Sequence, residues 1–422
     1  MDTSAIVWVL ISAALVWIMT PGLALFYGGL ASTKYASNTV FLSVIILGLA
    51  PFVWMVLGYS LAFSGHGTFI GNFDHILLNG VSFSKTTMGL KIPDGAFMLF
   101  QGMFPIITAA IITGSVVGRV NLKAMLLFIP IWLVAVYAPL AHMVWGGGWL
   151  AQIGALDFAG GDVVHISSGV SGLMLAILVG KRHKPADEKD TPDSIVNVVI
   201  GAALLWIGWF GFNGGSALEA NATAILAFAN TNIAAAAAMV TWFIIDFSRT
   251  GKAKITGALS GGLVGLVVIT PAAGLVAPAS ALLMGMIAAP AVYFLVDFLK
   301  RKFRYDDTLD AFGFHGIGGI IGGILTGIFA DKADGGLLAT GSLHQTLIQL
   351  VAIGVTIVFA AGMTFIIAKL VSLITPLRVE KAVEERGIDT ALHGEYISIM
   401  NSPQFNNRFR APGSGSGHFG KQ

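Results

Sequence analysis

Two histidines each open a run of glycines inside an otherwise apolar stretch. His165 lies in DFAGGDVVHISSGVSGL, with Gly169 and Gly172 four and seven residues on; His315 lies in DAFGFHGIGGIIGGILTG, with Gly319 and Gly322 at the same offsets. On a helix, positions +4 and +7 share a face with residue zero, so each imidazole sits on a stripe with two glycines. Glycines let neighbouring helices approach closely. Two such stripes brought together would set the imidazoles side by side in a narrow lumen, and facing rings near neutral pKa can share and relay a proton. For either histidine alone, a satisfied packing residue is the plainer alternative; the repetition argues for function.

Asp157 and Asp310 precede the histidines by eight and five residues. Asp157 belongs at the external end of its span, and Asp162 is placed to cap the N-terminus of that helix. For Asp157, satisfying backbone amides competes with direct contact to a substrate, and an orienting electrostatic role is expected. An unpaired carboxylate there would favour a nearby cation. Aromatic residues complete the set. LFQGMF puts Phe100 and Phe104 one turn apart, HMVWGGGW sets Trp145 at an external helix end, and WFGFNGGS supplies Phe212 and Ser216. Tryptophan at such a depth usually anchors the membrane interface. Alternatively, its face beside a hydroxyl attracts a small cation by about 0.5–2 kcal/mol, and a pair of Phe rings closes an apolar constriction.

The elements that must carry these residues follow from composition. The 422-residue chain is 55% hydrophobic and 11% charged, against roughly 25% charged residues in a soluble domain. Apolar runs long enough to cross a bilayer, about 20 residues each, recur along it. The fold class is an all-α polytopic membrane protein of about 11 spans: 5–30, 39–63, 95–118, 123–144, 162–180, 195–214, 223–247, 255–273, 276–299, 311–330 and 345–373. Basic residues gather in cytoplasmic loops. Alternate loops hold 14 of them (Lys184 and Lys189 included) and the intervening loops only Lys85, Lys91 and Lys332. The N-terminus is therefore outside and the C-terminus inside. The start of the chain lacks the basic leader of a secretory signal and reads as a true span. Zero cysteines exclude disulfides and thiolate chemistry. No nucleic-acid partner is suggested.

FYGG at 26–29 resembles FNGG at 212–215, five spans apart, as are the two histidines. An odd separation inverts orientation, so spans 1–5 and 6–10 form an inverted repeat around a central pore, with the functional site near mid-membrane. The eleventh span falls outside it. Residues 1–375 make one transmembrane domain and 376–422 a cytoplasmic tail, whose end RAPGSGSGHFGKQ reads as flexible or tag-like.

MTPGLALFYGGL, AHMVWGGGWLAQIGALDFAGGDVVHISSG, IGWFGFNGGSA and DAFGFHGIGGIIGGILTGIFA resemble the ammonium transporter (Amt/Mep/Rh) family, bacterial Amt proteins above all, from about residue 8 to 395. The resemblance implies an 11-span homotrimer in the cytoplasmic membrane, surrounded by lipid, with one pore per subunit and no cofactor or metal. It makes Trp145, Phe104 and Ser216 the external ammonium site, with Asp157 as its support. Phe104 and Phe212 become the gate, and His165 with His315 the twin histidines of the pore. The tail RGIDTALHGEYIS resembles the segment through which bacterial members meet PII signal proteins. Asp162 (at a position expected to be neutral), Glu219 beside the outer vestibule, and a shortened segment after HGE depart from the family pattern. The expected function is ammonium uptake, not catalysis. The alternatives are an ammonium sensor signalling through the tail and an intramembrane metalloenzyme, which would need at least three convergent ligands.

Overall fold

The computed structural model describes residues 1–183 and 191–393. Lys184, Lys189 and the tail beyond His393, including the end of RGIDTALHGEYIS and all of RAPGSGSGHFGKQ, lie outside the described residues. Among those described are 11 helices long and apolar enough to cross a membrane: α1 (Thr3–Leu30), α2 (Ala36–Phe63), α3 (Asp94–Val116), α4 (Leu122–Gln152), α5 (Gly161–Val179), α6 (Ile195–Gly215), α7 (Ala222–Thr250), α8 (Ile255–Ala272), α9 (Pro278–Phe303), α10 (Phe312–Phe329) and α11 (His344–Ser372). Helix is the necessary form, because a bilayer offers backbone amides no partner but one another. The bounds match those expected from the sequence to within a few residues. The largest difference is in α4, where a short turn at Trp149–Gln152 extends the span past Trp145.

Close crossings hold the two halves together. α1 packs along α6, and a Cβ added to Gly201 would lie 2.4 Å from Phe26 N and 2.6 Å from Gly22 O. No side chain fits there. Pro51 and Pro130 interrupt α2 and α4. Each lacks an N–H and crowds the carbonyl four residues back, and each is followed by a widened π turn, at Trp54–Gly58 and Leu133–Tyr137.

α11 braces α5 and the loop leading into it. Gln349 donates to Leu156 O at 2.7 Å and accepts from Leu156 N at 2.8 Å; Gln345 donates to Gly154 O at 2.9 Å. About four turns further along α11, Thr364 donates to Ser171 Oγ at 2.8 Å, which also accepts from Trp132 Nε1 at 2.9 Å.

On the cytoplasmic side the fully buried Arg119 gathers three chain segments. It donates to Gly180 O at 2.6 Å after α5, to Thr308 Oγ1 at 2.6 Å before α10, to Ser115 O at 3.1 Å and to Asp306 O. The Asp306 carboxylate takes Arg182 Nε and Nη2 at 2.9 Å each. The start of the tail docks on the same face. Arg378 pairs with Glu384 at 2.8 Å and donates to Val179 O, while Asp389, in the short helix Ile388–Leu392, accepts from Ser37 N and Asn38 N at 2.8 Å each.

Burial works to raise the Asp306 pKa, but the hydrogen bond and charge of Arg182, joined by Arg119, hold it down at about 2. A folded-state pKa below the ordinary 3.8 contributes stability that is present above that value and is lost as pH falls through 2. The expected loss over that window is about 2 kcal/mol. It is read as a fall in the thermal midpoint of detergent-solubilised protein between those pH values, and Asp306→Asn should flatten that part of the profile.

Candidate functional site

α5 and α10 run antiparallel and begin alike. Each opens with a π turn, Gly161–Ile166 and Phe312–Ile317, a widening of the helix that is frequent at functional sites. Each is preceded by a capping carboxylate. Asp157 accepts from the N–H groups of Gly160 (2.7 Å), Gly161 (2.6 Å), Asp162 (2.8 Å) and Val163 (3.2 Å). Asp307 accepts from Ala311 (3.2 Å), Phe312 (2.9 Å) and Gly313 (3.4 Å).

One expectation is corrected here, and one correspondence is added. Asp162 does not cap α5: its own N–H donates to Asp157, which already holds the first amides of the helix, and its Oδ1 has no hydrogen-bond partner. The mate of Asp157 is Asp307, not Asp310. Asp307 precedes His315 by the same eight residues as Asp157 precedes His165. Asp310 instead corresponds to Gly160, and both adopt positive φ, 57° and 129°; its carboxylate pairs with Lys300.

Beyond the caps the two helices meet at their glycines. A Cβ on Gly169 would lie 2.3 Å from Gly316 N, and one on Gly319 would lie 2.8 Å from Ile166 Cγ1 and 3.2 Å from His165 Cβ. That reciprocal closeness brings the imidazoles together, His315 Nδ1 to His165 Nδ1 at 3.2 Å. Both rings are buried. His165 Nε2 lies 3.3 Å from Thr270 Oγ1, and His315 Nε2 has no partner.

The aromatic residues continue outward as an unbroken stack. His165 lies against Phe212 (centroids 6.0 Å apart, planes 15° apart) and against Trp209 (5.5 Å, 27°). Phe212 faces Phe104 at 4.6 Å, and Phe104 meets Trp145 edge-on at 5.8 Å and Phe100 at 5.0 Å. Phe104 and Phe212 are buried, whereas Trp145 is half-buried. Trp145 Nε1 donates to Asp157 O at 2.8 Å, so Asp157 joins the group through its backbone while its carboxylate is committed to the helix. Ser216 joins only through Phe212, to whose carbonyl its hydroxyl donates at 2.8 Å, leaving its lone pairs free.

The arrangement is a half-exposed aromatic rim, a closed apolar constriction, and behind it two imidazoles joined nitrogen to nitrogen. Sequence reasoning missed Trp209, Thr270, Arg119 and Asp307. The shared eight-residue offset pointed to Asp307, and Trp209 lies one turn before Phe212 on the same helix face. For Thr270, in VITPAAG, and for Arg119, no local signal exists.

The family model for the Ammonium Transporter Family matches residues 7–397. An ammonium transporter of Bacillus subtilis is 46% identical over 393 residues, covering 92% of this chain and 97% of the relative. The crystal structure of Saccharomyces cerevisiae Mep2 superposes with a TM-score of 0.82 at 36% identity, covering 90% of this chain and 88% of that one. A solved structure described as a sensor Amt protein superposes with a TM-score of 0.86 at 28% identity, covering 92% and 98%.

Replacing Asp157 by Ala strips the acceptor from four amides at once. The expected cost is about 2 kcal/mol or more, read as a lowered thermal midpoint, with Asp157→Asn losing less because it keeps one oxygen. An Ala variant melting with the parent would rule out a scaffolding role.

Proposed function

The chain belongs to the ammonium transporter family, and from that premise we propose that it takes up ammonium across the cytoplasmic membrane by separating the cation from its proton at the outer mouth of the pore. It is a multi-pass membrane transporter, not an enzyme. The observation that carries the reading is the imidazole pair, 3.2 Å between Nδ1 atoms, set behind the Phe104–Phe212 contact.

The half-buried Trp145 and the free lone pairs of Ser216, with Phe104 beside them, recruit the cation. A Trp face contributes about 0.5–2 kcal/mol to such binding. Asp157 supports this site by holding the start of α5 and the indole of Trp145. With ring centroids 4.6 Å apart, Phe104 and Phe212 are the gate, which must swing aside for anything to pass. A charged species between them has lost its hydration with nothing in return, an ionic transfer penalised by tens of kcal/mol in an apolar medium. Ammonia carries no such penalty, so the proton leaves before the gate. Beyond it, His165 and His315 offer hydrogen bonds to ammonia and a path for a separately conducted proton. Potassium cannot shed its charge and is excluded.

Three such subunits would form the homotrimer typical of the resemblance, with residues 1–375 as the pore domain. The tail from 376, whose start is docked across the cytoplasmic face, is where a PII-type signal protein would act. That docked tail, together with the similarity to a sensor Amt protein, favours a second reading, in which ammonium binding is signalled rather than serving net flux. Growth of a transporter-deficient cell on low ammonium separates the two: rescue supports transport, and binding without rescue supports sensing.

In liposomes holding the protein, ammonium addition should move charge and potassium addition should not. Replacing His165 and His315, singly and together, should cut that charge movement on the order of 10²-fold, the usual weight of a proton-transfer group. Potassium movement as fast as that of ammonium would sink the mechanism.

A further inference from the structure

The inverted repeat fails at two positions, and both failures bear on the histidines. Phe158 N donates to Pro271 O at 3.1 Å, and its mate Thr308 N donates to Ser115 O at 3.4 Å, so Pro271 in α8 and Ser115 in α3 correspond. The residues just before them are Thr270 and Gly114. Thr270 reaches His165, while Gly114 has no side chain to offer His315; the ring of Tyr27 lies 2.6 Å from where a Cβ there would be. Trp209 fares likewise: through the FYGG and FNGG register its mate is Leu23, which has no donor. His165 therefore has a hydroxyl at Nε2, and His315 Nε2 has nothing.

The Thr270 hydroxyl has one proton and two lone pairs. Its proton goes to Leu266 O at 2.8 Å, the common back-bond to the preceding turn. One lone pair accepts Trp209 Nε1 at 2.9 Å, and an indole N–H only donates. What remains toward His165 Nε2, at 3.3 Å, is a lone pair, so that nitrogen carries the hydrogen. A neutral imidazole has a single N–H. His165 Nδ1 is then an acceptor, and the hydrogen in the 3.2 Å contact between Nδ1 atoms belongs to His315.

We propose that Thr270 is a positioning residue that fixes the tautomers of the pair, His165 as Nε2–H and His315 as Nδ1–H, leaving His315 Nε2 the one free basic nitrogen. The histidines, mates in the repeat, are unlike in chemistry. On the transport reading, which this inference deepens, ammonia passing the pair finds its hydrogen-bond acceptor at His315 and not at His165.

The test is magic-angle-spinning NMR of the full-length protein, 15N-labelled at histidine and tryptophan, in lipid bilayers without ammonium. The pair is identified by its Nδ1–Nδ1 contact, and His165 by its proximity to the Trp209 indole. The expected spectrum has His165 protonated at Nε2 and His315 at Nδ1; His165 protonated at Nδ1 overturns the proposal with no variant needed. Thr270→Val should raise the inverted tautomer about two- to twelve-fold, the weight of one ordinary hydrogen bond. Thr270→Ser should restore the parent spectrum, because its hydroxyl can keep the Leu266 back-bond and still accept from His165. Unchanged populations in Thr270→Val would also overturn the assignment. The spectrum is independent of flux: liposomes that move no ammonium would defeat the transport reading while leaving the tautomers as found.

Discussion

Two imidazole nitrogens can sit 3.2 Å apart in the middle of a membrane protein only if the helices bearing them cross almost at backbone contact. That one distance governs much of the rest. It requires glycine at 169 and 319, where a Cβ would strike the opposing helix. It requires helix N-termini that end inside the protein rather than in water, and so a carboxylate at 157 and at 307 to take the amides that are left over. It also requires that the approach be held from behind, which for α5 is the work of Gln345, Gln349 and Thr364 in α11.

Much of this was legible in the sequence because the bilayer simplifies the problem. Length and apolarity fix the spans, and charge fixes their direction, so all 11 helices and the inverted repeat can be read from the chain alone. The histidines and their glycines were legible because repetition marks what a single instance would not. The capping acids were half legible. Asp310 lies nearer His315, yet the loop spends its positive φ at that position and the cap falls to Asp307. Asp162 has the residue type of a cap but stands inside the helix, where the first amides are already taken.

Thr270 and Arg119 were not legible at all. Each acts through partners far along the chain, and a threonine in an apolar helix or an arginine in a basic cytoplasmic loop satisfies local expectation without further meaning. What singles them out is three-dimensional: a hydroxyl whose every hydrogen-bonding site is engaged beside the histidine, and a guanidinium with no exposed surface. A repeat can be detected from the residues its halves share. The residues at which they differ decide what each half does, and those stay invisible until the halves are superposed in space.

The docking of Asp389 onto the start of α2 carries a consequence for how the chain is made. The amides of Ser37 and Asn38 are among the first to reach the cytoplasmic side, and their acceptor arrives some 350 residues later. Through nearly all of synthesis and insertion that helix end stays open, and water or a passing factor must serve it. Only a chain translated past Asp389 can close it. The bond therefore marks late closure: a chain that stops short of Asp389 leaves bare a helix start that the longer chain covers.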